Sequence, residues 1–286
     1  MKLIAIDLDG TLLSPEMEIT KESLEAMREA QNQGNIVMIC SGRAPEDIQQ
    51  ILRKYDFSIP LAGSNGTVVQ TQERVLKRVS MNREDVGKIA EKLDDERTPY
   101  RIYTDSGIYI PADWSERVEL AMKEEQIEVE GLPDETYQRI TEKPQKSSLI
   151  NFFDHYSELV DEKELTIQKF FVLTLNNNVK TALTAYLEGI STIGFTSSHP
   201  LNIEVMDQDG NKGNALKRVA EHYGISLNDT VAIGDNFNDI PMLEMAGLSV
   251  AMGNAEPLVK EICDFVTRSN ADNGVAYAIN NYVLNK

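Results

Sequence analysis

The chain contains little cysteine, histidine or tryptophan. Its 286 residues include two cysteines, three histidines and one tryptophan. Two cysteines cannot form the disulfide framework of a small secreted domain, and a chain of this length can bury a core without one. Cys40 ends an apolar run, which is typical of a buried thiol in a reducing compartment. We therefore expect a cytoplasmic protein.

Long apolar runs are also absent. The N-terminal segment MKLIAIDLDG is too short in apolar residues for a signal peptide, and no later stretch approaches the roughly 18 consecutive apolar residues of a membrane span. The sequence therefore predicts no membrane partner.

Positive charge is in deficit. Lysine and arginine number 28 against 46 aspartates and glutamates, a formal net charge of −18. Such a balance repels the phosphate backbone of nucleic acids unless a basic patch is present, and the sequence shows none. We expect no nucleic-acid partner.

Strand and helix patterns alternate at both ends of the chain. The apolar runs Leu3–Ile6 and Ile36–Cys40 are each followed by a polar loop and a helical pattern, at 20–33 and at 45–54. The run at 230–233 begins a similar series. Continuous apolar strands are typical of a parallel sheet covered by helices on both faces. The sequence predicts an α/β fold with a doubly wound, mostly parallel, Rossmann-like core.

The middle of the chain has a different pattern. Residues 100–104 and 108–110 alternate in polarity around a turn, as in a hairpin with one wet face, and helical segments interrupt the strands. We interpret this region as an inserted α+β domain. The predicted boundaries are 1–82 and 208–286 for the core and 83–207 for the insert.

Polar clusters directly follow predicted core strands. They are Asp7-Leu8-Asp9-Gly10-Thr11, Ser41-Gly42-Arg43 and the segment from Gly234 to Asp239. The carboxyl ends of parallel strands share one edge of the sheet, where ligands bind. Carboxylates that meet there need a cation or a proton, and an all-oxygen ligand set suits Mg²⁺. The sequence therefore predicts a magnesium site at this edge.

The paired aspartates at the first strand predict phosphoryl chemistry. Asp7 and Asp9 are two residues apart, so one can attack a phosphoryl group and the other can move a proton. Lys212 precedes a helical segment, and with the Ser41 hydroxyl and Asn238 it is suited to binding the phosphate. A simpler structural role remains open for some of these residues: Ser41 as a helix cap and Asp239 as a charge at a helix N-terminus.

These motifs, in this order, resemble those of the haloacid dehalogenase-like hydrolases. The long insert and the segments Gly63–Gly66 and Val250–Ala255 are similar to the Cof-type subgroup of sugar-phosphate phosphatases. The resemblance implies that the insert is an α/β cap that closes over the crevice. It further implies an aspartyl-phosphate intermediate on Asp7, with Asp9 as the general acid and base.

The resemblance also implies the binding residues. Mg²⁺ would be held by Asp7, the backbone carbonyl of Asp9 and Asp235, with support from Asp239. The phosphate would be held by Ser41, Lys212, Asn238 and the backbone amides of Leu8 and Gly42. Separately from the resemblance, Arg43 and Asn65 are expected to lie near the core crevice and to contact the leaving group.

The leading hypothesis is a Mg²⁺-dependent phosphatase that acts on small phosphomonoesters: sugar phosphates, nucleotides or phosphorylated vitamin precursors. Two alternatives remain open. One is a phosphotransferase or phosphomutase, and the other is a non-catalytic signalling protein in which Asp7 is a stable phospho-acceptor. The sequence does not indicate the physiological substrate or the oligomeric state, for which a monomer is the default expectation.

Overall fold

The computed structural model describes residues 1–125, 145 and 149–284. Within these residues the strands are, in chain order, β1 (Leu3–Ile6), β2 (Ile36–Cys40), β3 (Leu61–Gly63), β4 (Val68–Gln70), β5 (Val75–Arg78), β6 (Tyr100–Thr104), β7 (Gly107–Pro111), β8 (Ile150–Phe153), β9 (Ile167–Leu173), β10 (Ile193–Thr196), β11 (Asn202–Asp207), β12 (Thr230–Gly234), β13 (Leu248–Ala251) and β14 (Phe265–Val266). The α-helices are α1 (Lys21–Asn32), α2 (Pro45–Arg53), α3 (Arg83–Asp95), α4 (Trp114–Glu125), α5 (Ser157–Val160), α6 (Asn177–Glu188), α7 (Lys212–Tyr223), α8 (Ile240–Met245), α9 (Pro257–Ile262) and α10 (Gly274–Ala278). Short 3₁₀ or π turns lie at Leu8–Leu12, Ser64–Gly66, Leu227–Asp229, Phe237–Asp239, Asn270–Asp272 and Ile279–Val283.

The chain divides into two compact units. One comprises Met1–Arg78 with Asp209–Lys286, and the other comprises Val79–Gln208. The boundaries predicted from the sequence lie at 82/83 and 207/208.

The sheet of the first unit has the order β14-β13-β12-β1-β2-β3-β4-β5. From β14 to β3 neighbouring strands are parallel, and β4 and β5 add an antiparallel edge. β1 lies between β2 and β12, so the chain winds outward from β1 in both directions. The predicted doubly wound α/β core is confirmed.

Local sequence explains where these elements begin and end. Every residue of Leu3–Ile6 is buried, as expected for a strand covered on both faces. The Thr20 hydroxyl caps α1 by accepting a hydrogen bond from the Ser23 N–H, and a proline at the first position starts α2. α7 ends at Gly224, whose φ of 67° is readily adopted by glycine.

The second unit has its own sheet, of order β10-β11-β9-β6-β7-β8. β6 and β7 form the predicted antiparallel hairpin, whereas β7 and β8 are parallel. Apolar side chains of this sheet and of α3 and α6 form a hydrophobic cluster that includes Leu93, Tyr100, Phe170, Val172 and Leu187. The mixed α+β character predicted for this region is thus present in the described residues.

Among residues 1–125, 145 and 149–284, the helices are all too short or too polar to cross a membrane.

Candidate active site

The site is built around the loop that follows β1. The Asp7 N–H donates to the Ile233 carbonyl at 3.0 Å, so this residue still continues the β1–β12 pairing. The chain then turns through Gly10, which has a φ of 77°. A Cβ atom there would lie 2.4 Å from Oδ2 of Asp235. Only glycine therefore lets this loop approach the end of β12 so closely.

Carboxylates of Asp7, Asp235 and Asp239 converge at the ends of β1 and β12. Each contributes an oxygen to a set in which all atoms lie within 4.8 Å of one another, and all three residues are buried. The Thr11 hydroxyl donates to Oδ1 of Asp235 at 2.6 Å. Oδ2 of Asp239 accepts hydrogen bonds from the backbone N–H groups of Asp235 and Asn236, at 2.9 and 3.0 Å.

Lys212 joins this cluster from the first residue of α7. Its Nζ lies 2.5 Å from Oδ1 of Asp7 and 2.6 Å from Oδ1 of Asp239, and its side chain is fully buried. The side chain of Asn211 caps α7 by accepting from the Asn214 N–H, so the helix begins with Lys212 at the site.

The cluster holds more acidic than basic groups. With all three carboxylates ionised, the single ammonium would leave two negative charges in a buried space. Burial and the charge of Asp239 raise the pKa of Asp235 from 3.8 to about 7. Burial, then the charge of Asp239, also raises the pKa of Asp7, and Lys212 opposes this effect only in part.

Lys212 itself remains charged. Burial alone would lower the pKa of its ammonium, but the carboxylates of Asp239 and Asp7 outweigh burial and raise it. A divalent cation would remove the two excess charges, and carboxylate oxygens are the ligands that Mg²⁺ prefers. The residues present therefore fit a magnesium ion.

Asp9 lies apart from this cluster and pairs with Arg43. Oδ2 of Asp9 accepts from Nε of Arg43 at 2.8 Å, and Oδ1 accepts from Nη2 at 2.6 Å. The two side chains are 43% and 29% exposed, so the pair lies where solvent and ligands reach it. The hydrogen bond to Asp9 is the largest effect on the pKa of Arg43, which is raised.

Residues from the other loops form a third group. The Ser41 hydroxyl accepts from the Arg43 N–H at 3.2 Å, and the Ser41 carbonyl accepts from the Asn65 N–H at 2.9 Å. Oδ1 of Asn65 accepts from Nδ2 of Asn238 at 3.2 Å. Asn65 is 1% exposed and has a φ of 62°, a conformation that asparagine tolerates better than most residues. Gly42 lies between Ser41 and Arg43 in the chain.

The structure thus brings the predicted residues together in distinct sets. Asp7, Asp235, Asp239 and Lys212 form one cluster. Arg43, which is expected to contact the leaving group, pairs with Asp9, and Asn65 bridges Ser41 and Asn238. Leu8 is fully buried next to Asp7.

Two contacts of the site were not anticipated from the sequence. Thr11 donates to Asp235, and Nδ2 of Asn254 donates to the Gly10 carbonyl at 2.8 Å. Both residues belong to recognised motif segments, Asp7–Thr11 and Val250–Ala255, but no role is predicted for either. Their partners are more than 200 residues away in the chain, so no local spacing reveals them.

Comparison with known proteins agrees with this geometry. A family model described as haloacid dehalogenase-like hydrolase matches residues 4–279. The chain is 35% identical over 281 residues to the 5-amino-6-(5-phospho-D-ribitylamino)uracil phosphatase YwtE of Bacillus subtilis, covering 98% of this chain and 97% of that protein. It is 31% identical to the phosphatase YwpJ of B. subtilis, covering 97% and 98%. A solved haloacid dehalogenase-like hydrolase from B. subtilis superimposes with a TM-score of 0.86 at 30% identity and covers 99% of this chain and 100% of its own.

Proposed function

The chain belongs to the haloacid dehalogenase-like hydrolases, in the Cof-type subgroup, and is a phosphatase; on this premise we propose that it hydrolyses small phosphomonoesters with Mg²⁺ through an aspartyl-phosphate on Asp7. The observation that carries the proposal is the buried cluster of Asp7, Asp235, Asp239 and Lys212 at the carboxyl ends of β1 and β12. We assign catalysis to the core, predicted at 1–82 and 208–286, and selection of the leaving group to the insert at 83–207.

Asp7, Asp235 and the backbone carbonyl of Asp9 would hold the metal. Asp239 supports the site without direct coordination, because one of its oxygens binds Lys212 and the other accepts two backbone N–H groups. When bound, Mg²⁺ supplies positive charge that offsets the phosphoryl oxygens and the carboxylates.

In the first step Asp7 attacks the phosphorus atom. An Oδ atom of Asp7 forms a bond to phosphorus while the bond from phosphorus to the ester oxygen breaks, and Asp9 gives its proton to that oxygen. Lys212 contacts Asp7 at 2.5 Å and therefore orients the attacking carboxylate.

The ion pair between Asp9 and Arg43 opens for this step. Both oxygens of Asp9 accept hydrogen bonds from the guanidinium, so a proton on Asp9 requires their separation. An incoming phosphate ester competes for Arg43, because guanidinium groups bind phosphate strongly. Binding of the substrate thus frees the Asp9 carboxylate to take a proton from solvent, and this proton is the one that Asp9 gives to the leaving oxygen.

In the second step water attacks the aspartyl-phosphate. Asp9, now ionised, takes a proton from this water as it bonds to phosphorus. The bond from phosphorus to Asp7 breaks, which restores the carboxylate and releases inorganic phosphate. Ser41, Lys212, Asn238 and the backbone amides of Leu8 and Gly42 hold the phosphoryl group through both steps.

The first substrate to test comes from a relative. The 35% identical B. subtilis protein is named as a phosphatase of 5-amino-6-(5-phospho-D-ribitylamino)uracil, a phosphomonoester of a sugar-alcohol chain. This compound is a small phosphomonoester, as the predicted substrate class requires. We place it beside sugar phosphates and nucleotides as the panel of candidate substrates.

An assay of phosphate release tests this proposal. The wild-type protein should release phosphate from p-nitrophenyl phosphate only with Mg²⁺, and Asp7→Asn should be inactive because an amide is a poor nucleophile. Asp229→Asn is the matched control, since it removes the same charge from an exposed position of the same unit. Acid quenching of wild-type enzyme with labelled substrate should trap a phosphorylated protein that Asp7→Asn does not form. Equal turnover by Asp7→Asn would disprove the covalent mechanism.

A further inference from the structure

The turn after β13 connects the loop that carries Asp7 with the loop that carries Asp235. Nδ2 of Asn254, in this turn, donates to the Gly10 carbonyl at 2.8 Å. Two residues further on, the Glu256 N–H donates to the Asp235 carbonyl at 3.0 Å. One short segment therefore holds the backbone of both loops. We propose that Asn254 is a positioning residue that sets the geometry of the metal-binding carboxylates, an inference that rests on the proposed function.

The side chain of Asn254 is itself fixed in orientation. Its Oδ1 accepts from the Asn270 N–H at 2.9 Å, so the amide oxygen must face Asn270 and the amide nitrogen must face Gly10. The Asn270 side chain also donates to the Leu13 carbonyl, at 2.9 Å. The Ala255 N–H donates to the Met252 carbonyl at 3.0 Å, which closes the turn that presents Asn254.

The hydrogen bond from Asn254 acts on the metal site through the Gly10 carbonyl. Gly10 has a φ of 77°, and its α-carbon faces the carboxylate of Asp235. Its carbonyl belongs to the peptide that leads into Thr11, whose hydroxyl binds Oδ1 of Asp235. Holding this carbonyl therefore holds both the backbone of the loop and the hydroxyl that orients Asp235.

Loss of this contact should act on the metal more than on the substrate. Without Asn254, the flexible Gly10 peptide can rotate, and the spacing between Asp7 and Asp235 is no longer fixed. Outer partners of a metal site typically change affinity by about 10- to 100-fold. Because Asn254 is exposed, we expect the low end of this range, about tenfold. The KM of the substrate should stay unchanged, since Asn254 does not hold the phosphate.

The test compares Asn254→Ala with Asn270→Ala. The control variant removes an identical side chain from the neighbouring 3₁₀ turn and loses the bond to Leu13, but its backbone N–H still holds Asn254. Mg²⁺ binding is measured by calorimetry on the free protein without substrate, and the melting temperature is measured in EDTA. Asn254→Ala should bind Mg²⁺ about tenfold more weakly and have a lower kcat at an unchanged KM. Asn270→Ala should lower the melting temperature by about as much as Asn254→Ala does, but its Mg²⁺ affinity should stay within about twofold of the wild-type value.

A third variant, Asn254→Asp, isolates the donor. It keeps the size of the side chain and the acceptor for Asn270 but presents an oxygen to the Gly10 carbonyl. It should bind Mg²⁺ no better than Asn254→Ala. Wild-type Mg²⁺ affinity in Asn254→Asp, or equal Mg²⁺ affinities of the two alanine variants, would overturn the positioning role. A wild-type protein that binds no Mg²⁺ would overturn this inference and the proposed cofactor together, whereas normal binding by Asn254→Ala beside an inactive Asp7→Asn would overturn this inference alone.

Discussion

Replacing Asp235 by asparagine should stabilise the metal-free protein while removing its response to Mg²⁺. Burial and the charge of Asp239 raise the pKa of Asp235 from 3.8 to about 7. At about 1.4 kcal/mol per pH unit, the ionised carboxylate costs the folded protein up to about 4 kcal/mol above pH 7. Asparagine carries no charge, and its amide oxygen can still accept the hydrogen bond that Thr11 donates at 2.6 Å.

The gain will be smaller than this upper bound, because the buried amide must still be desolvated. We expect about 1–3 kcal/mol, which at about 2–4 °C per kcal/mol raises the melting temperature by about 2–12 °C. The raised pKa means that the folded protein binds more protons than the unfolded chain between about pH 4 and 7. The advantage of Asp235→Asn is therefore full above pH 7 and declines as the pH falls below 7.

Thermal unfolding at pH 8, in EDTA and in Mg²⁺, measures both parts of this prediction. Wild-type protein should gain stability on addition of Mg²⁺, since a ligand that binds only the folded state raises its stability. Asp235→Asn should have a higher melting temperature than the wild type in EDTA and should gain little stability on addition of Mg²⁺. The surface variant Asp229→Asn should follow the wild type in both conditions. A less stable Asp235→Asn protein in EDTA, or an undiminished response to Mg²⁺, would refute the account of the cluster.

Other predictions concern individual side chains. Arg43→Gln should raise the KM of an alkyl phosphate and of p-nitrophenyl phosphate alike, by about tenfold, because both esters offer the same phosphate group to the guanidinium; a loss confined to the alkyl phosphate would contradict the competition of the ester for Arg43. Lys212→Met should destabilise the metal-free protein by about 3–5 kcal/mol, since it leaves the two carboxylate partners of Lys212 without the ammonium. Mg²⁺ should restore part of this lost stability. Urea unfolding with and without Mg²⁺ measures the change, and an unfolding midpoint equal to that of the wild type would contradict this prediction. Burial raises the pKa of the Cys40 thiol to about 12. Native protein should therefore resist alkylation at Cys40 at pH 8, while urea-unfolded protein reacts. Because the thiol ionises at a lower pH in the unfolded chain than in the folded protein, its burial lowers the free energy of unfolding as the pH rises above about 9. Labelling of native Cys40 at the rate of a free thiol would contradict its burial.

Much of the fold follows from local sequence. Continuous apolar runs such as Leu3–Ile6 indicate strands covered on both faces, and the polar segment after each strand marks the ligand-binding edge of a parallel sheet. The predicted helix that begins at Pro45 and the predicted hairpin of β6 and β7 are also confirmed, because each has its pattern in a short segment. In each case the pattern repeats over neighbouring residues, so the information is contained within a short segment.

The sequence also predicts which types of residue make up the site. Asp7, Asp9, Lys212 and Asp235 are polar residues that interrupt or follow apolar patterns, and their order matches a known family. The roles assigned to the individual residues remain predictions. The variants described above test them.

The pairing of these residues was decided only by the tertiary structure. The sequence allowed Arg43 to face a leaving group, and the folded chain places it on both oxygens of Asp9. Nor could spacing show that the ammonium of Lys212 lies between Asp7 and Asp239, or that Asn254 reaches the Gly10 carbonyl. A strand pattern is visible within a few consecutive residues, whereas these contacts join residues up to 244 positions apart. Such contacts depend on how the loops at the ends of β1, β2, β12 and β13 approach one another, and that approach exists only once the sheet has formed.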